Sequence, residues 1–237
     1  MFLQNKKDFI DSNQVEKNEW KFYIDNISEG YTVFDIGANI GELTTIFSKF
    51  CGSSGQVHSF EPTPNTYKRL VNSVNNLNIQ NCLANNMAVS NKTGTINFNI
   101  YEDRYASWNT IANRPLEKYG INIENPLSIE VKSITVDDYC NQNDIKYIDL
   151  LKIDVEGAEL DVLNGCERMF MQKKIKLCVF EFGQTIFDMG TTIEEIKSFF
   201  SKVRYEVRNI SQGQQLYPVD KKTNIAQFSV LCAKQAR

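Results

Sequence analysis

Three short stretches place chemically capable residues directly after apolar, strand-like runs. The first is Asp35-Ile-Gly-Ala-Asn-Ile-Gly41. Gly37 permits a sharp turn out of a strand, and Gly41 lets the next helix come close to the sheet. Backbone N–H groups between them can face a ligand. The spacing is G-x-x-x-G, and Asn39 stands where a dinucleotide site would have its close-approach glycine. The second stretch is Phe60-Glu61-Pro62, where an acid ending a strand can accept both hydroxyls of a ribose. The third is Leu151-Lys-Ile-Asp-Val-Glu-Gly-Ala-Glu159, which sets Lys152, Asp154, Glu156 and Glu159 beside an apolar strand. Glu181 ends the next apolar run (LCVFE) and can face the same cleft.

Charges beside a buried strand need partners, because burying them alone is costly. One account is local: Asp154 caps a helix, while Glu156 and Glu159 favour its positive N-terminus. That account leaves Lys152 unexplained among Leu150, Leu151 and Ile153. The other account is chemical, with Asp154 as general base, Glu156 and Glu181 as alternates, and Lys152 orienting an acid or an acceptor. Asp154 and Glu181 could also ligate a divalent cation, but two or three carboxylates make a sparse ligand set, and a metal is not favoured. His58, the lone histidine, lies mid-strand and reads as structural.

These residues need a scaffold that brings strand ends together, and the pattern along the chain supplies one. Thr32–Ile36, Gln56–Phe60, Gln80–Asn86, Tyr147–Ile153, Ile175–Phe182, Tyr205–Ile210 and Ile225–Ala233 read as strands. An amphipathic helix over 15–27 leads the chain. Helices follow the first two strands, the second with Thr63 as N-cap, Pro64 at the first position, and Tyr67, Leu70, Val71, Val74 and Leu77 as its stripe. Further helices span Glu156–Asn164 and the segment begun by a capping box at Thr192 and Glu195. Alternation in Ile96–Ile100 and again in Ile129–Val131 predicts an antiparallel pair with one wet face. These runs flank an insert, 102–126, with Tyr101, Tyr105, Trp108 and Tyr119 in or beside it, a candidate substrate lid. The expectation is a Rossmann-like, doubly wound, mostly parallel α/β sheet with an antiparallel pair at its end. A single domain over 1–237 is expected, with residues 1–29 as an N-terminal helical segment.

Composition narrows the function. The chain has 237 residues and a net charge of −3, which disfavours nucleic acid as the main ligand. No stretch approaches the roughly 20 apolar residues of a membrane helix, and the N-terminus shows no signal-peptide core. Six dispersed cysteines without a C-x-x-C fit a reducing compartment, hence a cytoplasmic protein.

At its motifs the chain resembles the FkbM-type family of S-adenosylmethionine-dependent methyltransferases. The resemblance rests on VFDIGANIG at 33–41, SFEPTP at 59–64, AVSNKTG at 88–94, ITVDDY at 134–139 and LLKIDVEGAELDVLNG at 150–165. It covers roughly residues 30–185, and KIDVEGAE is quite specific to that group. It implies the class I methyltransferase fold, S-adenosyl-L-methionine as cofactor, and methyl transfer to a hydroxyl of a sugar, glycan or small natural product. It further implies that Asp35, Gly37, Ala38, Asn39 and Gly41 line the methionine end, that Glu61 takes the ribose, and that Asn86 and Met87 border the adenine. The rival readings are a nicotinamide-dependent oxidoreductase and a cofactor-binding partner module without catalysis. The acceptor, its attacked position and the oligomeric state stay open.

Overall fold

The computed structural model of the protein describes residues 17–101, 109–111, 126–211, 213–220 and 226–236. In chain order the elements are α1 (Lys17–Asn26), β1 (Thr32–Ile36), α2 (Glu42–Cys51), β2 (Gln56–Phe60), α3 (Pro64–Asn76), β3 (Cys82–Asn85), β4 (Ala88–Val89), β5 (Gly94–Ile100) and β6 (Leu127–Ile134). They continue with α4 (Val136–Gln142), β7 (Ile148–Ile153), α5 (Glu159–Asn164), α6 (Glu167–Met171), β8 (Ile175–Phe182), α7 (Gln184–Asp188), α8 (Ile193–Val203), β9 (Tyr205–Asn209) and β10 (Ser229–Gln235).

Seven strands form the main sheet in the order β3-β2-β1-β7-β8-β10-β9. Pairing is parallel from β3 to β8, and β10 runs antiparallel to both β8 and β9. The sheet is therefore doubly wound and mostly parallel, as the alternation of strand and helix predicts, and it ends in the antiparallel strand β10 and its neighbour β9. Successive residues of the central strands enter opposite cores. Val33, Leu150 and Leu177, in register, pack with Tyr23, Ile24 and Phe47 of α1 and α2. Phe34, Leu151 and Cys178 pack on the other face with Val162, Phe170 and Phe200. Burial on both faces explains why these strands read as unbroken apolar runs. The chain winds away from β1 in one direction to β2 and in the other to β7, so the switch point lies between β1 and β7, where ligands of such sheets bind.

The two alternating runs do pair antiparallel, with Ile96 opposite Val131 and Phe98 opposite Ile129. They belong, however, to a second sheet in the order β4-β6-β5, separate from the main one. Other boundaries differ. The helix expected over Glu156–Asn164 begins only at Glu159, because residues 154–158 form a loop in which Glu156 takes φ 56° and Gly157 φ 109°. Thr63 is the N-cap of α3 but makes no side-chain cap bond, and Leu77 falls off the stripe at 39% exposure. The last strand starts at Ser229; Ile225, like Val15, lies outside the described residues.

His58 is structural, as expected. It is buried against Phe34 and Tyr139, with Nδ1 2.9 Å from the Tyr139 hydroxyl and Nε2 3.1 Å from Gln56 Oε1. Burial lowers its pKa to about 4.

Candidate active site

The turn after β1 forms because Gly37 takes φ 77°, a left-handed conformation that costs glycine little. A Cβ there would sit 1.7 Å from the Asp154 carbonyl oxygen, so the β1 and β7 loops touch only because position 37 is bare. The Gly37 and Ala38 N–H groups donate to the Phe60 carbonyl at 3.1 and 2.9 Å, and Asp154 N–H donates to Ile36 at 3.1 Å. Gly41 serves a different neighbour from the one expected. At φ 91° it makes room for α3 rather than the sheet, since a Cβ would meet Leu70 Cδ1 at 2.6 Å.

Behind the turn lies the cation that local capping could not explain. Lys152, 3% exposed, places Nζ 3.3 Å from Asp35 Oδ1 and 3.2 Å from Asp154 Oδ2, and donates to the Gly37 carbonyl at 3.0 Å. Burial alone would lower its pKa, but Asp154, Asp35 and Glu181 outweigh it and raise the value above the ordinary lysine range. Asp35 is fully buried and also accepts from the Thr44 hydroxyl at 2.6 Å. It thus sits beneath the turn and lines neither cavity described below.

Asp154 does not cap α5. Glu159 holds that loop instead, accepting from the N–H groups of Val155 at 3.2 Å and Gly157 at 3.1 Å, and burial raises its pKa to about 7. Glu181 is raised well above the usual carboxylate range by burial, then by Asp154, Glu156 and Glu159, with Lys152 opposing. Glu61, 7% exposed, accepts from Thr63 N–H at 2.9 Å and Asn39 N–H at 3.2 Å, and burial raises its pKa despite these bonds.

Two cavities open at this edge of the sheet. One, about 140 Å³, is lined by Glu61, Met87, Val89, Phe98, Val155 and Glu156 among others. The second, about 340 Å³, lies on the α1 and α2 side and is lined by Glu19, Trp20, Ala38, Leu43 and Lys152 among others. Gly37, Asn39, Asp154 and Glu181 line both, so the cavities meet at the two acids.

Gly37, Ala38, Asn39, Glu61, Met87, Lys152, Asp154, Glu156 and Glu181 are thus brought together, while Asp35 and Gly41 act from behind. Asn86 ties the loops, donating to the Glu61 and Pro62 carbonyls at 3.0 Å each. Tyr101 is buried and lines a different hollow beside Thr63 and Ile129; Tyr105, Trp108 and Tyr119 lie outside the described residues. The motifs do not point to Glu19 and Trp20 on α1, or to Thr110. Thr110 pairs with Asn99 and donates its hydroxyl to the Glu156 carbonyl at 3.0 Å, tying that chain segment to the site. The only sequence signal for Glu19 and Trp20 is the apolar stripe of α1, which seats the helix through Tyr23 and Ile24. Burial and then Glu19, Asp154 and Glu181 raise the Tyr23 pKa, a sign of how near α1 lies to the acids.

A doubly wound sheet, a glycine turn, an acid at the end of β2 and acids at the ends of β7 and β8 define an α/β protein of the class I methyltransferase type. The chain belongs to the FkbM methyltransferase family, whose domain model, Methyltransferase FkbM domain, matches residues 35–207. It is similar to the hexuronic acid methyltransferase AglP of Haloferax volcanii, 22% identical over 183 residues, 77% of this chain and 69% of that protein. It is also similar to the 2-O-methyltransferase NoeI of Sinorhizobium fredii, 28% identical over 141 residues, 56% of each chain. Among solved structures, methyltransferase FkbM from Methylobacillus flagellatus shares the fold with a TM-score of 0.54 at 14% identity. That match covers 87% of this chain and 43% of the other. Family membership sets aside the oxidoreductase reading.

Proposed function

We propose that the chain binds S-adenosyl-L-methionine across the two joined cavities and methylates a hydroxyl of a sugar, glycan or small natural product. The observation that carries this reading is the joint itself. A two-part ligand needs an adenosine pocket and an amino-acid pocket meeting at its reactive centre, and here the meeting point is Asp154 and Glu181. The residues fit the cofactor: Glu61 at one floor offers a buried carboxylate to ribose hydroxyls, Met87 and Phe98 offer apolar surface to a base, and Gly37 and Asn39 line both cavities. Bound there, the cofactor supplies the methyl group and its leaving sulfur.

The chain's own task is to align the acceptor, exclude water and take its proton. Asp154, a third exposed and ion-paired to Lys152, is oriented to take the hydroxyl proton. Glu181, whose burial favours its protonated form, is the second carboxyl facing the acceptor; two carboxyls in unlike environments divide such roles. Glu156 contributes negative charge at the rim, and Lys152 positions Asp154. The Lys152 ammonium already occupies the place between Asp154 and Asp35, which argues against a divalent ion there. Six unpaired thiols agree with a cytoplasmic setting, and one domain over the whole chain is the simplest organisation.

Incubation with methyl-labelled cofactor and a sugar panel tests the reading, with labelled O-methyl product expected and Asp154→Asn slowing turnover by about 10²-fold or more. Near-wild-type turnover in Asp154→Asn would remove that residue as base. Cofactor binding with no product on any acceptor would favour the non-catalytic module.

A further inference from the structure

β8 ends at Glu181-Phe182, and its antiparallel neighbour β10 begins there, with Ser229 opposite Phe182 and Val230 opposite Glu181. The edge that carries the acids therefore continues, one strand over, into a third concavity of about 440 Å³. Its lining includes Asn18, Glu19, Gln214, Gln227, Phe228 and Ser229. Glu19 also lines the cavity on the α1 side, so the two concavities meet at that residue.

The frame of this groove is built. Asn209 donates its amide to Ser229 Oγ at 2.6 Å and to the Gln215 carbonyl at 2.8 Å, while accepting from Ser211 N–H at 2.9 Å. Gln227 N–H donates to the Pro218 carbonyl at 2.9 Å. On that frame the side chains of Gln214 and Gln227 are exposed, and Phe228 is 65% exposed. The ring of Phe228 lies 4.0 Å from where a Cβ on Gly183 would stand, beside the chain just past Glu181.

Amides and hydroxyls around an exposed ring suit one kind of ligand. Ring hydroxyls take the hydrogen bonds, and an apolar C–H face lies on the aromatic surface. An anionic ligand would meet the Glu19 carboxylate in the groove lining, and like charges repel. The groove lies one to two strand spacings, about 5–10 Å, from Glu181, a span that a glycosidic linkage crosses. We propose that this groove is a second acceptor subsite, holding a neutral sugar residue next to the one that is methylated. The acceptor is then a neutral di- or oligosaccharide rather than a uronic acid. This deepens the proposed function and rests on Asp154 and Glu181 as the methyl-transfer site.

The test uses the full chain saturated with S-adenosylhomocysteine, itself titrated by calorimetry. Saturation-transfer NMR then compares neutral monosaccharides and disaccharides of glucose, galactose, mannose, fucose and N-acetylglucosamine, with glucuronic acid as the anionic probe. At least one neutral disaccharide should bind more strongly than its monosaccharides. Gln227→Ala and Phe228→Ala, both at exposed positions, should each weaken it by roughly fivefold, the effect of one hydrogen bond or aromatic contact. Affinity for S-adenosylhomocysteine and the melting temperature should not change. Cofactor binding without any neutral sugar signal, a signal unchanged in both variants, or a preference for glucuronic acid would overturn the groove alone. Failure to bind S-adenosylhomocysteine would overturn the cofactor reading and the groove with it.

Discussion

Replacing Lys152 with methionine isolates the ion network beneath the turn. Asp35 is fully buried, and its Oδ1 has the lysine ammonium at 3.3 Å as ion partner but no hydrogen bond. Without that ammonium the carboxylate keeps, among the described residues, the Thr44 hydroxyl at 2.6 Å. Removing one partner of a buried ion pair typically costs about 3–5 kcal/mol. Asp154, 31% exposed, keeps its water and adds little to the loss. With a urea m-value of about 2 kcal/mol/M, the midpoint should fall by roughly 1.5–2.5 M. Adding Asp35→Asn removes the stranded charge, so the double variant should recover at least half of the lost stability. A single-variant loss below about 1 kcal/mol, or a double variant that loses the sum of both singles, would refute the pairing as the reason for Lys152.

The same geometry yields further outcomes. Gly37→Ala places a Cβ 1.7 Å from the Asp154 carbonyl, so the variant should lose cofactor binding and melt at lower temperature, as calorimetry and thermal denaturation would read. Glu61→Gln removes the charge from a buried acceptor and should weaken S-adenosylhomocysteine binding by about 10–100-fold, the worth of a charged hydrogen bond. Stability should respond to pH from two sides. Glu159, raised from 4.5 to about 7, contributes stability below about pH 4.5 that is lost as pH rises through 7. His58, lowered from 6.5 to about 4, contributes stability above about pH 6.5 that is lost as pH falls through 4. Each amounts to about 3 kcal/mol at most. In urea unfolding at pH 4 to 8, Glu159→Gln should flatten the decline above pH 5 and keep the acid decline. An unchanged slope between pH 5 and 7 would show that Glu159 is not the titrating group.

Much of this architecture is legible in the residues because burial on both sheet faces leaves unbroken apolar runs such as VFDI and DLLKI. The glycine turn, Glu61 and the Lys152–Asp154 pair were visible for a related reason, since charges and glycines at strand ends break that pattern. What could not be read has physical causes as well. The start of α5 depends on Glu159 folding its carboxylate back onto Val155 and Gly157, a choice that spacing does not reveal. Asp35 looks like a ligand residue by position, yet the register that sets it opposite Lys152 turns it inward. The alternating runs at 96–100 and 129–131 announce a pair but not the sheet to which it belongs. Glu19 and Trp20 reach the site only through the packing of α1, and Gln227 and Phe228 only through the reversal of β10. Both are tertiary facts.

The central claim is that the joined cavities at Asp154 and Glu181 hold S-adenosyl-L-methionine. Calorimetric titration of the full chain with S-adenosylmethionine, S-adenosylhomocysteine and NAD tests it most directly. The account predicts one-to-one binding of the first two, lost or strongly weakened in Glu61→Gln, and no heat with NAD. Absence of binding by either methionine-derived ligand, or saturable binding of NAD in their place, would contradict it.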